Sequence, residues 1–166
     1  MTTAEQAWNQ IDKARGYVLA LVSDIEPADW FRQPPGGVTH IAWQVAHMVM
    51  AEYFLTMVRV RGERPEDESL VSKAFLKQFG KGSTPDPNPA NNPTPEVILQ
   101  TLARVHEQAR LEVPKLSDAA LAEPVTMPHR LFTDKLGSIQ WCPMHEMSHA
   151  GQIGLIRRLQ GKQPKW

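Results

Sequence analysis

The sequence lacks several features that mark large classes of protein. It has one cysteine, Cys142, so no internal disulfide can form, which fits a reducing compartment. Its 18 basic and 18 acidic residues give a formal net charge of zero, so no overall field draws nucleic acid or an anionic membrane towards the protein. We therefore predict a small-molecule substrate, with neither nucleic acid nor a membrane as partner.

No continuous apolar run approaches the roughly 18 residues of a membrane span. The first residues, Met1 to Gln6, also lack the basic and apolar regions of a signal peptide, so we expect a cytoplasmic protein. A length of 166 residues with 42% apolar composition is typical of one domain that buries a core. Residues 1–166 are therefore expected to form a single domain.

Apolar residues that recur every three or four positions predict two long helices in the first third of the chain. The first runs from about Thr3 to Ile25 and is followed by a loop rich in proline and glycine. The second starts near Thr39, a suitable N-cap, and ends at Arg61-Gly62, where glycine can take the left-handed conformation. Its interior is apolar nearly all round, as in a helix that is covered on several sides.

A long connection, Glu63 to Pro93, follows the second helix and includes a possible short helix over Leu70 to Phe79. About thirty residues is far more than an antiparallel helix pair needs, so the connection is long enough to cross the length of a bundle. Thr94-Pro95-Glu96 then opens a third helix, which Pro114 ends or kinks.

After the third helix, Ser117 to Leu121 predicts a single helical turn. A short hairpin is predicted between Val125-Thr126-Met127 and Arg130-Leu131-Phe132. The fourth helix begins near Ser138 or near Cys142-Pro143 and ends at Gly161. Four long helices predict an all-α protein, a four-helix bundle with a long crossover between helices 2 and 3.

The segment His145-Glu146-Met147-Ser148-His149 carries the main functional signal. Two histidines four residues apart lie about 40° apart on a helical wheel, so both rings can face one ion. The wheel turns them towards the core and places Glu146 at the polar edge. Catalytic zinc-type centres take three protein ligands, and His47, inside the apolar second helix, is the candidate third.

The same five residues match H-E-x-x-H, the zinc peptidase signature in which the glutamate is the general base. The familiar zinc peptidases take their third ligand downstream, but this chain has no His, Asp or Glu after His149, and Leu155 stands where the extended motif needs histidine. A peptidase is therefore disfavoured. Glu146 is a candidate catalytic base, with a surface or supporting role as the alternative.

Other residues are candidates for the surroundings of the site. Each ligating imidazole needs an acceptor for its second N–H, which glutamine or glutamate can supply. Tryptophan side chains can line a pocket, although a buried tryptophan is more often part of the core. The candidates for these roles are Trp43, Gln44, Glu52, Trp141 and Gln152. Ordinary structural roles are expected for His40, His106 and His129, and Cys142 is expected to be a small buried hydrophobe.

The segments around His47 and around His145 and His149 resemble those of the DinB/YfiT-like metalloenzymes, a family that includes bacterial thiol S-transferases. The resemblance rests on Asp29-Trp30 and Gln33 to Gly37, which lead into Ile41 to His47, and on His145 to Ile153, which lead into Arg157 to Gly161. It implies a four-helix bundle with a long crossover, a homodimer, and a divalent metal ion held by His47, His145 and His149. Zinc and nickel are the first candidates, followed by iron, manganese and copper, which histidine ligands also accept.

Three neutral imidazoles leave the full charge of the ion on its open position, where a thiol or water would become a nucleophile near neutral pH. The sequence thus predicts a metal-dependent thiol S-transferase or hydrolase acting on a small molecule, with a low-molecular-weight thiol as a further cofactor. The competing hypothesis is a metal-binding or stress-response bundle without turnover.

Overall fold

Side-chain caps and turns fix the ends of the first helix. In the computed structural model, which describes residues 1–165, α1 spans Thr3–Val22. The Thr2 hydroxyl accepts the Glu5 N–H, and the Glu5 carboxylate accepts the Thr2 N–H at 2.7 Å, so two otherwise unpaired backbone donors are satisfied. The helix ends three residues before the predicted Ile25, whose N–H instead closes a turn on the Val22 carbonyl.

The second long helix, α2, spans Ile41–Arg61. Its N-cap is His40 rather than the predicted Thr39, because the His40 Nδ1 accepts the Trp43 N–H at 3.2 Å while Thr39 bonds a side chain. One turn, Phe54–Val58, is a π-helix. The helix ends as predicted at Gly62, which has a φ of 85°.

The connection after α2 is folded against the rest of the protein. It contains α3 (Lys73–Gln78), capped by Ser72, between two 3₁₀ turns, Pro65–Ser69 and Pro89–Asn91. The prediction of a short helical piece is confirmed. Phe75 and Phe79 are buried, with ring centroids 4.7 Å apart, and so attach the connection to the hydrophobic core.

The next elements begin where the sequence indicated. Helix α4 spans Pro95–Glu112 with Thr94 as its N-cap, and α5 spans Asp118–Leu121 after Ser117. The predicted hairpin is wrong, since no strand forms within residues 1–165. An isolated bridge joins Pro124 to Asp134 instead.

The last helix, α6, spans Lys135–Leu159 and so begins earlier than predicted. Pro143 lies inside it, although proline removes one backbone hydrogen bond. Two contacts hold the turns before the proline: the Asp134 carboxylate accepts the Gly137 N–H at 2.7 Å, and the buried Ser138 hydroxyl donates to the Leu55 carbonyl at 2.7 Å. Tertiary contacts therefore outweigh the local cost of proline.

Helix α6 packs on both α1 and α2, and α2 also packs on α4. One apolar cluster, which includes Ile11, Val45, Leu102 and Ile153, joins these helices. Within residues 1–165, α2 is the one helix long and apolar enough to cross a membrane, but 83% of the window that meets this test is buried inside the protein. Such burial is expected of the central helix of a helical core. The all-α prediction is confirmed.

Candidate metal centre

Three histidines from two helices meet at one point. His47 lies on α2, and His145 and His149 lie on successive turns of α6. Their ring centroids are 4.5 Å apart for His145 and His149, 4.9 Å for His47 and His149, and 5.3 Å for His47 and His145. One ring nitrogen of each lies within 4.8 Å of the other two. The predicted third histidine is therefore beside the predicted pair.

Hydrogen bonds to the outer nitrogens orient two of the rings. The His47 Nδ1 lies 2.7 Å from the Phe79 carbonyl, which can only accept, so this nitrogen carries the proton. The amide nitrogen of Gln44 donates to the Thr39 hydroxyl at 2.9 Å, which leaves the amide oxygen to accept from the His149 Nδ1. Both rings thus keep a bare Nε2, the arrangement that a ligating imidazole needs.

The spacing of the ring nitrogens suits a metal ion. The Nε2 atoms of His145 and His149 lie 3.3 Å apart. Ligand bonds of about 2.0–2.1 Å in tetrahedral geometry place neighbouring nitrogens roughly 3.3–3.4 Å apart. The three histidines therefore fit a divalent cation.

Burial keeps the three imidazoles neutral. It lowers the pKa of His149 to about 3, with smaller contributions from His145 and His47, and it lowers the pKa of His145 to about 4, with a contribution from His47. The pKa of His47 is also lowered by burial. At neutral pH the ring nitrogens are therefore free to bind a metal without first losing a proton.

The three residues His47, His145 and His149 are called the triad below, and the structure places some of their predicted neighbours beside them. The Trp43 ring stacks on His47 with centroids 4.6 Å apart and planes at 10°, and its Nε1 donates to Ser83 at 3.0 Å. Trp141 lines the adjacent cavity. Gln152, in contrast, is exposed on α6 and is not among the hydrogen-bond partners of the three rings within residues 1–165.

The two glutamates proposed for the site belong to a separate buried ion-pair network around Arg15. The Arg15 Nε donates to Glu146 at 2.6 Å, and its Nη2 donates to Glu52 at 2.9 Å. His106 contacts the second oxygen of Glu52 at 2.8 Å. Glu146 is 2% exposed, so its expected position at the polar edge is wrong. Its part as a catalytic base stays a prediction, and the pairing with Arg15 favours a structural role.

The remaining histidines and the cysteine have identifiable contacts. His40 caps α2 and contacts the Asp86 carbonyl at 2.9 Å through Nε2. His129 stacks on Phe132, with centroids 4.2 Å apart, and lines the cavity beside the triad. Cys142 is buried, and burial raises the pKa of its thiol well above its usual value, so it is held as a neutral thiol.

A cavity of about 670 Å³ lies against the triad, with His47 and His145 in its wall. This is within the range of about 300–1,000 Å³ that small-molecule sites occupy. Apolar side chains from α2, α3 and α6 line much of it, among them Met50, Phe54, Leu55, Leu76 and Trp141. Sequence reasoning had missed another part of the wall, in which Arg59 and Arg130 lie.

An all-helical fold that gathers three neutral histidines beside a cavity, two of them in its wall, defines a helical protein with a candidate metal centre. The sequence model of the DinB superfamily matches residues 10–153, a range that contains all three histidines. The chain belongs to the DinB superfamily, as the resemblance of its sequence motifs indicated. No curated protein matches the sequence.

Proposed function

We propose that this protein is a divalent-metal-dependent enzyme that transfers a thiol to an electrophilic small molecule or hydrolyses such a molecule. His47, His145 and His149 would hold the ion, with zinc or nickel as the first candidates. The observation that carries the proposal is the presence of bare, neutral ring nitrogens beside a cavity of substrate size. A metal-binding protein without turnover would need no such cavity.

The side chains around the triad would prepare the site for this chemistry. A divalent cation, when bound, lowers the pKa of a thiol or water beside it. Gln44 and the Phe79 carbonyl hold two of the rings by their outer nitrogens, so little reorganisation is needed on binding. Trp43 covers one face of His47 and limits the access of solvent from that side.

The helix contacts support a more specific architecture. We propose that α1, α2, α4 and α6 form a four-helix bundle in which the segment from Gly62 to Thr94 is the crossover. The contacts of α6 with α1 and α2, and of α2 with α4, are those expected of neighbours in such a bundle. The neutral net charge supports a small-molecule substrate and a protein that binds neither nucleic acid nor membrane. The single cysteine supports a cytoplasmic protein, since it fits a reducing compartment.

A screen of thiols against electrophiles tests the proposed activity. Protein loaded with zinc or nickel is incubated with low-molecular-weight thiols and reactive electrophiles, and loss of free thiol is followed. We expect at least one pair to react faster than with chelator-treated protein, and the rate to return when the metal is restored. The same screen without thiol, followed by product analysis, detects hydrolysis. Loaded protein that accelerates neither reaction would support the metal-binding hypothesis.

We further propose that two copies associate through α6. Its outer face exposes Met144 by 54%, Met147 by 46% and Leu155 by 50%, and the exposed Gly151 between them allows close approach of a second helix. Met147→Glu is expected to give a monomer in sedimentation, because it places a charge in the apolar face. Leu111→Glu, on exposed α4 surface, is the control and should leave the mass unchanged. A native monomer at micromolar concentration would contradict the dimer.

A further inference from the structure

The wall of the cavity beside the triad carries charge of one sign. Its basic residues are Arg59, Lys77, Lys81 and Arg130, and no aspartate or glutamate is among its lining residues. The chain as a whole is neutral, with 18 residues of each sign, so this segregation is local. Focused positive charge inside a cavity with apolar walls attracts an anion.

Arg59 differs from the other arginines with limited exposure. Arg15, Arg61 and Arg157 each form an ion pair with a carboxylate. Arg59 forms none within residues 1–165, and its Nε is buried without a hydrogen-bond partner. The guanidinium is 5.9 Å from the centroid of Phe54 and 6.0 Å from that of Phe132. It is held in place by aromatic rings, with donors left free for an acceptor.

Three of the cations line the cavity although they come from distant parts of the chain, and Arg59 is half-buried whereas Lys81 and Arg130 are exposed. Arg59 is on α2, Lys81 follows α3, and Arg130 is in the segment before α6. None of the three is ion-paired in the described part of the protein. The pKa of His129 is lowered by burial and then by these same three cations, which agrees with their convergence.

The wall also carries apolar side chains, among them Met50, Leu55, Leu76 and Trp141. We infer that the cavity binds a small organic anion, whose apolar body packs on these side chains and whose carboxylate or phosphate is held by Arg59, Lys81 and Arg130. Arginine suits the task because its planar donors match two oxygens at once. Binding of the anion does not require the metal. Only the further step, that this anion is the substrate, rests on the proposed function.

Calorimetric titration with a matched pair of probes tests the inference. The probes are 4-phenylbutyrate and its neutral amide, 4-phenylbutyramide, and each is added to metal-loaded and to chelator-treated protein. A carboxylate can also bind a metal, so the chelator-treated sample isolates the cations. We expect the carboxylate to bind at least about tenfold more tightly than the amide in both samples, a difference that one charge-assisted hydrogen bond can provide.

Arg59→Met is expected to remove most of this preference while leaving the affinity for the amide unchanged, because methionine keeps contact with both aromatic rings. Lys115→Met, on exposed surface, removes the same charge outside the cavity and is the control. Unfolding transitions of each variant show that it is folded. The inference would be overturned if the two probes bound with equal affinity or if neither bound. It would also be overturned by a preference for the carboxylate that appears only in metal-loaded protein, or by one that is unchanged in Arg59→Met. Metal stoichiometry of the same samples tests the proposed metal function separately.

Discussion

Replacing His149 by alanine is expected to abolish stoichiometric metal binding. The native protein should hold about one ion per chain, because one ring nitrogen of each of the three neutral histidines lies within 4.8 Å of the other two. Removing His149 leaves two ligands and also leaves Gln44 without the ring that it orients. Loss of an outer partner alone typically costs about 10–100-fold in metal affinity, and loss of a direct ligand should exceed this.

The measurement is elemental analysis of native and variant protein purified without added metal, followed by titration with zinc and with nickel. His129→Ala is the matched control, since His129 lines the same cavity but lies outside the triad. The control should retain the ion. A His149→Ala protein that keeps one tightly bound ion per chain would show that the triad is not the metal site.

Replacing Arg15 by methionine is expected to cause the largest loss of stability of the substitutions considered. The change leaves Glu52 and Glu146 buried without their shared cation. Removing one partner of a buried ion pair typically costs about 3–5 kcal/mol. Urea unfolding of chelator-treated protein at pH 7.5, followed by circular dichroism, measures the loss.

The difference in free energy of unfolding between the native protein and Arg15→Met should become smaller as the pH falls towards 5. In the native protein burial opposes ionisation of Glu52, but Arg15 and His106 hold its pKa below the usual value. Burial already raises the pKa of Glu146 in the native protein, although Arg15 opposes this. In the variant burial acts unopposed by Arg15, so the pKa of each carboxylate should rise above its native value and above the unfolded value of about 4.3. The folded variant then binds more protons than its unfolded chain, so its stability rises as the pH drops through this window.

Arg110→Met is the control for the ion-pair experiment, because Arg110 pairs with Glu107 at the exposed surface. It should leave the urea midpoint unchanged at both pH values. A loss below about 1 kcal/mol for Arg15→Met, where an unpaired buried charge should cost several times more, would contradict the importance of the network. A variant that is folded and still binds one ion would show that the network acts separately from the triad.

Helix ends could be predicted from the sequence where they depend on contacts between residues that are close along the chain. The helix starts at Thr94 and Ser117 could be predicted because both hydroxyls bond to backbone only three residues away. Gly62 was identifiable because its positive φ favours glycine. The start of α6 was missed because contacts such as that of Ser138 with Leu55 join residues that lie far apart in sequence.

The triad could be predicted because two of its members are four residues apart and the third lies in an apolar helix. Its supports were harder to find. The Phe79 carbonyl that orients His47 belongs to the backbone, which leaves no mark in the sequence. The burial of Arg15 in α1 depends on Glu146, which lies 131 residues away along the chain, so no local pattern indicates it. Charge is a poor guide to exposure when the partners come from other helices.

The π-helical turn at Phe54–Val58 changes which side chains can share the cavity. Twelve residues of uninterrupted α-helix would place Arg59 about 120° round from His47. A turn that holds one residue more takes back about 100°, so the arginine points nearly the same way as the histidine. Gain or loss of a single residue at this turn would therefore rotate the side chains that follow it by about 100° around the helix axis, while His47 would keep its direction. Related proteins that differ by one residue at this turn would keep the three histidines in place and present a different side chain to the cavity.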